Sequence, residues 1–334
     1  MAKSVDIGTC NLVSASQDNN NTIAYKTIRD AFLDLENEPS VKNMLKMSKV
    51  DYIESEDKIY IIGDSAVTMA NIFRREVRRP LSQGVISPGE LEAEKILLVL
   101  LENILGRAKI QGETCFFSIP GNPSNKDADV VYHSAMFTKM IDSLGYRGVA
   151  MNESSAIVFA NCATEMFSAI GISFGAGMCN ISMLYQTMSA LNFSLVNSGD
   201  WLDASAAKAV GSTASRIQAI KEKGINLMDV NDGDPKNIRE REALTVYYKS
   251  LILRVLDAIK TEFAKRKGDI AIPTAIPIIL SGGTSLPKGF KELFVEGFKT
   301  IKDFPIEISD IRMARSPLCD VAGGLLIAAM NSES

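Results

Sequence analysis

The sequence predicts an α/β protein built from two related lobes. Strand-like and helical segments alternate along most of the chain, which is the α/β pattern. The 334 residues exceed the ~250–300 residues at which a single core stops growing. A strand–glycine turn–strand unit also occurs once in each half. No Pro/Gly/Ser-rich linker divides the chain, so we expect ordered segments to join the lobes.

Composition and charge exclude several classes of protein. Hydrophobic residues make up 46% and charged residues 23%, as in ordinary globular proteins rather than disordered ones. The net charge is −4 and the pI is about 5.3, which leaves no electrostatic footprint for nucleic acid. The longest aliphatic run in the helix predicted after Lys95 is Ile96–Leu101. This run is much shorter than the ~20 apolar residues that a membrane span needs. We expect a soluble, cytoplasmic protein without direct membrane insertion.

Cysteine and histidine usage disfavours metal and triad chemistry. The five cysteines are scattered without a C-x-x-C pair, which is typical of reduced, buried thiols. His133 is the only histidine, so a zinc site rich in histidine or a Ser-His-Asp triad is disfavoured. We therefore expect a carboxylate to carry any proton transfer.

The elements follow from the apolar pattern in chain order. Short apolar runs predict strands at Val5–Ser16, Thr22–Ile28, Lys58–Ile62, Thr114–Ile119, Gly148–Met151, Ile170–Leu195 (several strands with a glycine interruption) and Ile276–Leu280. Apolar residues at helical spacing predict helices at Glu90–Leu105, Pro123–Leu144, Glu153–Cys162, Trp201–Glu222, Lys236–Lys267 and Pro317–Met330. A polar stretch, Gln17–Asn21, predicts the turn between the first two strand segments.

A short internal repeat indicates function. The segment Val5–Leu12 and the segment Ile172–Ile181 both read as an apolar strand, a turn that contains glycine, and a second apolar strand. Glycine in such a turn lets backbone N–H groups form a concave nest that suits phosphate oxygens. Each turn taken singly is also compatible with a plain β-turn. Two of them, one in each half, could hold a polyphosphate between two lobes.

Further motifs together resemble a known superfamily. They are Ile61–Ala66, Arg79–Ile86, Asn152–Ala156, Ser198–Asp203, Ile278–Pro287 and Cys319–Gly324. In this order and spacing the chain resembles the actin-like ATPase superfamily, and within it the bacterial actins of the MreB and MamK type. The resemblance covers nearly the whole chain and implies an actin-like bilobal fold with a nucleotide cleft between two related α/β domains.

The resemblance assigns the first turn to a phosphate loop. Asp6, Gly8, Thr9, Cys10 and Asn11 match the loop whose backbone wraps the β- and γ-phosphates of ATP or ADP. Its aspartate, Asp6, is implied to hold Mg²⁺, usually through water. The alternative for Asp6 is an exposed carboxylate at a strand end, although an unpaired charge between apolar neighbours would be costly to bury.

The resemblance also assigns a catalytic group and an adenosine loop. Glu153 matches the carboxylate that positions or deprotonates the attacking water, and a favourable interaction with the helix dipole is its alternative. Gly282, Gly283 and Thr284 match the loop on which the base and ribose lie. The alternative for these three residues is a plain strand-to-helix turn.

The second phosphate loop departs from the family pattern. Gly175, Ala176 and Gly177 keep its glycine-rich form, but Ser173 stands where the family usually has an aspartate. Serine keeps a hydroxyl but not the charge, and phosphoryl transfer depends on placed charge. We therefore expect slow ATP hydrolysis.

Four further residues depart from the family pattern, two in the same loop and two in the helical segment after Gly211. Met178 and Asn180 replace a frequent threonine and an acidic residue of the second loop. Ser215 and Gln218 replace the Glu and Lys that relatives often carry near the adenosine, so these two positions are assigned to nucleotide binding.

The resemblance implies a domain division and a function. Domain I spans about 1–150 with a smaller subdomain at about 30–79, and domain II spans about 151–316 with one at about 199–265. The helix at 317–330 joins domain I. The implied function is a cytoskeletal protein that binds ATP and polymerises with itself, with an adaptor or cargo protein as a further partner.

Two alternatives remain open. The first is a nucleotide-binding scaffold or assembly factor that forms no filament. The second is a small-molecule kinase of the same fold, although no substrate-facing aspartate stands out. Because the chain begins close to its first strand, we expect no N-terminal amphipathic membrane helix.

Overall fold

The computed structural model describes residues 2–18, 22–50, 52–55, 57–125, 130–266 and 272–333. The strands are β1 Lys3–Ile7, β2 Asn11–Gln17, β3 Ile23–Arg29, β4 Phe32–Glu36, β5 Tyr52–Glu54, β6 Lys58–Ile62, β7 Leu81–Ser82, β8 Val85–Ile86, β9 Glu113–Ile119, β10 Tyr146–Asn152, β11 Ala169–Phe174, β12 Cys179–Tyr185, β13 Met188–Leu195, β14 Ile276–Ser281 and β15 Ile308–Met313. The α-helices are α1 Pro39–Met47, α2 Gly63–Phe73, α3 Ala93–Leu105, α4 Val130–Ser143, α5 Glu153–Asn161, α6 Gly199–Val210, α7 Ala214–Glu222, α8 Ile238–Lys265, α9 Phe290–Thr300 and α10 Asp320–Glu333.

Two five-stranded sheets share one topology. The first sheet has the order β10-β9-β1-β2-β3 and the second has β15-β14-β11-β12-β13. In each sheet the middle strand pairs in parallel with one neighbour and forms an antiparallel hairpin with the next. The outer pairs are likewise parallel on one side and antiparallel on the other. The sequence prediction of two related α/β halves is confirmed.

Two helices fill the space between the sheets. Helix α10 packs on β1, β2 and β9, whereas α5 packs on β11, β12 and β14, and the two helices pack on each other. They meet at Gly324, where a Cβ atom would lie 1.8 Å from the carbonyl oxygen of Ala156. A side chain at position 324 is therefore incompatible with this helix crossing.

Outer layers complete each half. Helices α3 and α4 cover the first sheet around a core that includes Leu100, Phe117 and Phe137. Helices α6, α8 and α9 contribute with the second sheet to a larger core that includes Tyr248 and Phe290. A small sheet of order β4-β6-β5 packs with α1 and α2 in a separate cluster. Among the described helices, none combines the length and the apolar character that crossing a bilayer requires.

Most predicted elements are present, with differences that have physical reasons. The helix predicted from Pro123 does not begin there, because Pro123 instead forms a β-bridge with Ser194. Helix α4 is described from Val130. The segment predicted as one helix over 201–222 is two helices, since Gly211 adopts a left-handed φ of +69° and Thr213 caps α7. Residues 19–21 of the predicted turn, 126–129 of the predicted helix and Lys267 lie outside the described residues.

Candidate functional site

A cleft of about 820 Å³ lies between the two sheets. The β1–β2 turn, the β11–β12 turn, the first residue of α5 and the turn after β14 line it, and α7 contributes to one side. This volume falls in the range of ~300–1,000 Å³ that is usual for small-molecule sites. The cleft can therefore hold a ligand with the size of a nucleotide.

The two hairpin turns have the same backbone geometry. The N–H of Gly8 donates to the carbonyl of Asn11 at 3.1 Å, and the N–H of Gly175 donates to that of Met178 at 3.0 Å. A Cβ on Gly8 would lie 2.8 Å from the Asn11 oxygen, and one on Gly175 would lie 2.9 Å from the Met178 oxygen. Both turns require glycine because the chain folds back onto its own carbonyl. The predicted repeat is present in three dimensions.

The two turns approach each other, and the β7–β8 turn joins them. A Cβ on Gly177 would lie 2.5 Å from Thr9 Oγ1 and 2.8 Å from the backbone nitrogen of Gly84. The N–H of Gly84 donates to Thr9 Oγ1 at 3.2 Å. Thus, backbone from three segments meets at one place in the cleft, as in a cradle that binds phosphate through main-chain groups.

Asp6 faces this cradle from the end of β1. Ser118 Oγ donates to Asp6 Oδ1 at 2.8 Å and accepts the N–H of Ile7 at 2.7 Å, which fixes the carboxylate. Burial raises the pKa of Asp6, and the hydrogen bond from Ser118 opposes this only in part. A cation at this carboxylate would reverse the cost of its burial.

Glu153 is the first residue of α5 and lies across from Asp6. Ser173 Oγ donates to one of its carboxylate oxygens, and Asn180 Nδ2 donates to the other at 2.7 Å. Burial is the main cause that raises the pKa of Glu153, and the negative charge of Asp6 adds to it. Asn152, rather than Glu153, supplies the side-chain cap of the helix, since its Oδ1 accepts the N–H of Ser154. The carboxylate of Glu153 is thus directed at the cleft.

These carboxylates fit a metal bound together with phosphates. Within the described ranges, no group of three or more His, Cys, Asp or Glu side chains is placed to hold a metal. Mg²⁺ in phosphate sites is commonly held by one or two carboxylates plus phosphate oxygens and water. Asp6 and Glu153 are compatible with that arrangement and not with a metal site formed by protein side chains without phosphate.

The turn after β14 is tied to the second hairpin turn. Gly282 has a φ of +92°, and a Cβ there would lie 2.4 Å from the carbonyl oxygen of Phe174. Thr284 Oγ1 donates to the carbonyl of Gly175 at 2.8 Å. Gly282, Gly283 and Thr284 all line the cleft, as the resemblance implies for the adenosine loop.

The structure separates the two positions that were assigned on α7. Gln218 lines the cleft, and its amide donates to Glu222 at 2.8 Å. Ser215 is exposed, lies outside the lining and is within hydrogen-bond distance of Thr213 at 3.2 Å. The placement of Ser215 gives no support to a role in nucleotide binding, because the part of α7 that lines the cleft begins one turn later, at Gln218.

The sequence reasoning missed an ion pair in this part of the cleft. Lys221 Nζ donates to Asp203 Oδ2 at 2.7 Å, and the two side chains are only 11% and 5% exposed. Asp203 Oδ1 is buried and has no hydrogen-bond partner among the described residues. Burial raises the pKa of Asp203 to about 6, although Lys221 opposes this. Lys221 lies three residues after Gln218 on the same helical face, and this spacing was the available signal.

Two further ion pairs cross between the halves. Arg29, at the end of β3, reaches Glu222 of α7 at 3.9 Å. Arg79, just before β7, donates to Asp200 in the first turn of α6 at 3.1 Å. Both pairs join the first half of the chain to the second at the rim of the cleft, where Asp200, Arg29 and Glu222 are lining residues.

Comparisons with known proteins agree with this architecture. A family model described as Volactin matches residues 1–329, and no curated protein matches the chain by sequence. Among solved structures, the MamK double helical filament has a TM-score of 0.73 at 16% identity, over 100% of this chain and 99% of that chain. MreB 5 of Spiroplasma citri bound to AMPPNP has a TM-score of 0.67 at 15% identity, with 99% and 96% covered. The ethanolamine utilization protein EutJ from Carboxydothermus hydrogenoformans gives 0.56 at 14% identity, with 97% and 88% covered.

Proposed function

The chain belongs to the Volactin family and has the actin-like fold, and from the cleft we propose that it binds ATP and polymerises with copies of itself. The observation that carries the proposal is the pair of hairpin turns with identical closing hydrogen bonds, which face each other across the cleft. A polyphosphate chain between two such turns would be bound from both sides by backbone groups.

The residues around the turns have distinct proposed roles. Asp6 would hold Mg²⁺ through water, and the metal would supply positive charge to the phosphates. Gly8 to Asn11 and Ser173 to Gly177 would form the phosphate cradle. Gly282, Gly283, Thr284 and Gln218 line the part of the cleft that would receive the adenosine.

Glu153 is the proposed catalytic residue. Its carboxylate would orient the attacking water or accept its proton. Two features support slow turnover. Ser173 supplies no charge in the second turn, and the pKa of Glu153 is raised, so the free protein holds less of the ionised base.

The assembly proposal rests on the fold and the relatives. The solved MamK structure is a double helical filament, and this chain matches it over its full length. We extend the proposal to a cytoplasmic filament with an adaptor or cargo protein as a further partner. Domain I at about 1–150, with its subdomain at 30–79 and the helix 317–330, and domain II at about 151–316, with its subdomain at 199–265, would be the two rigid parts around the cleft.

Electron microscopy tests this proposal. Purified protein in Mg-ATP, in Mg-ADP and without nucleotide should show filaments that depend on ATP. Filaments in all three samples would separate assembly from nucleotide, and single particles across salt and protein concentrations would contradict self-assembly.

The non-filament scaffold remains the second candidate because the uncharged Ser173 favours binding without turnover. Tight ATP binding without polymer and without phosphate release would support it. A sugar-dependent ATP turnover would instead support the kinase alternative.

A further inference from the structure

A short segment after β9 joins the first sheet to the second. Residues 120–125 run beside the end of β13, where Pro123 forms a parallel bridge with Ser194. The N–H of Ser194 donates to the carbonyl of Asn122 at 3.0 Å, and the N–H of Ser124 donates to that of Ser194 at 2.9 Å. Ser194 Oγ also donates to the carbonyl of Gly121 at 2.8 Å. We call residues 120–125 the connecting segment.

Glycine is required where this segment meets β13. A Cβ on Gly121 would lie 2.6 Å from the carbonyl carbon of Phe193. The connecting segment therefore lies directly against the backbone of the second sheet. Because the contact is close-packed, a displacement of the segment would displace β13 as well.

Asn180 links this contact to the proposed catalytic carboxylate. The residue is the second of β12 and is 1% exposed. Its Oδ1 accepts the N–H of Gly121 at 2.9 Å, while its Nδ2 donates to Glu153 Oε2 at 2.7 Å. A backbone N–H needs an acceptor and a carboxylate needs a donor, so these two partners together fix the orientation of the amide.

The other oxygen of Glu153 is held by the partner strand. Ser173 on β11 is the direct register partner of Asn180 on β12, and its hydroxyl donates to Glu153 Oε1. One cross-strand pair thus holds both oxygens of the carboxylate. Of the two, Asn180 also contacts the connecting segment through its side chain.

We infer that Asn180 is a positioning residue, which orients the carboxylate of Glu153 and ties it to the connecting segment of the first half. The inference rests on the proposed function for its catalytic consequence, whereas the contact itself exists without nucleotide. Asn180 lies at the wall of the cleft with both ends of its amide engaged, and it acts through Glu153 in this proposal.

The first experiment needs no nucleotide. Glutamate is labelled with ¹³C at the side-chain carboxyl, and the resonance of Glu153 is identified by its loss in Glu153→Gln. The resonance should shift in Asn180→Asp, which keeps an acceptor for Gly121 but loses the donor to Glu153, and in Asn180→Ala. Ser194→Ala, which removes one bond to the connecting segment and none to Glu153, should leave the resonance in place. An unmoved resonance in both Asn180 variants would overturn the inference.

The second experiment is a double-mutant cycle on Mg-ATP turnover. Asn180→Ala should lower single-turnover phosphate release about 10- to 100-fold, as expected for a misplaced catalytic group, while the affinity for ATP stays unchanged. In the Glu153→Gln background the same substitution should have little further effect, because the two residues act as a unit.

The outcomes separate the possible failures. Equal losses in both backgrounds, or an equal loss in Ser194→Ala, would overturn the inference, because Asn180 would then act through general structure rather than through Glu153. A wild-type protein without ATP binding would contradict the proposed function, and the nucleotide-free resonance would then decide by itself whether Asn180 holds Glu153.

Discussion

The two hairpin turns of the cleft have similar backbone conformations and differ in the charge of their neighbouring side chains. Gly8 and Gly175 close their turns with the same hydrogen bond, at 3.1 and 3.0 Å. Two residues before each glycine, however, the first turn has Asp6 and the second has Ser173. The backbone of the cradle thus depends on glycine and strand register, which are the same in both halves. The charge beside the cradle depends on a different position, and that position differs between the halves.

The difference has a local consequence at Glu153. In the second half the hydroxyl of Ser173 donates to Glu153, which an ionised aspartate at this position could not do. In place of a charge that could face a metal, the chain therefore has a hydrogen bond that holds the carboxylate of Glu153. Substitutions in the two turns can separate these functions.

The largest effect is expected when the shared backbone is broken. Gly177→Ala would place a Cβ 2.5 Å from Thr9 Oγ1 and 2.8 Å from the nitrogen of Gly84, which forces the turns apart. Such overpacking costs about 1–3 kcal/mol, so ATP affinity should fall by about 5- to 150-fold if the cost is borne by the closed cradle. Titration with a fluorescent ATP analogue measures this change. Gly89→Ala is the matched control, since no described atom lies within 4 Å of its added Cβ. Equal affinities in the two variants would contradict the role of the cradle.

An intermediate effect is expected when the charge is made symmetric. Ser173→Asp should raise ATP turnover about tenfold with a steeper dependence on Mg²⁺, because it adds a carboxylate that can act on the metal. Without Mg²⁺ no gain is expected, since the new carboxylate would repel Glu153. Phosphate release measured over a range of Mg²⁺ concentrations gives the answer. Ser173→Asn has the same size without the charge, and an equal gain in that variant would show that charge is not the cause.

The smallest effect concerns the charge that the first turn retains. The pKa of Asp6 is raised to about 6, so the folded protein bears the cost of an ionised, buried carboxylate above that pH and not near pH 4. Since Asp6 lines an open cleft, this cost should be on the order of 1 kcal/mol. Asp6→Asn should therefore raise the melting temperature of the nucleotide-free protein at pH 8, and the difference should vanish as the pH falls to about 4. Asp64→Asn alters an exposed carboxylate, and the same pH-dependent gain in that variant would contradict the explanation.

Local sequence was sufficient for the strands that are buried on both faces. The strand β14 was predicted almost to the residue, as Ile276–Leu280. The strand β11 is also buried along its whole length, and it was predicted as part of the longer segment Ile170–Leu195. The edge strand β15, Ile308–Met313, was missed because it carries Asp310 and Arg312. Charged residues suit an edge strand that must resist further pairing, and they hide it from a search for apolar runs.

Helix α2, which has no polar N-cap, was also missed. Helix α2 begins at Gly63 directly after β6, and Ile62 at its N-cap position makes no side-chain hydrogen bond. Its start is fixed by tertiary contacts instead, because the N–H of Gly63 donates to the carbonyl of Ala31. A sequence search for Ser, Thr, Asp or Asn caps has nothing to detect there.

The site divides in the same way. The glycine turns could be found because turn and strand occupy neighbouring positions in sequence, and the resemblance to a known superfamily then implied a role for Asp6. The pair of Asp203 and Lys221 is assembled from two helices that pack together. The spacing of Lys221 from Gln218 is a local signal for the lysine alone, and it does not identify Asp203 as its partner. Asn180 was noticed only as a departure, since its link to Gly121 crosses between the two sheets.

The close approach of α10 to α5 has a mechanical consequence. At Gly324 the backbone of one helix lies against the carbonyl of Ala156 in the other, and beside this contact Ile157 and Leu325 pack in one buried cluster. Since no side chain separates the two backbones at this point, the helices cannot come closer, and a substituent at position 324 would push them apart together with the sheets on which they pack. The crossing therefore sets the spacing between the two sheets.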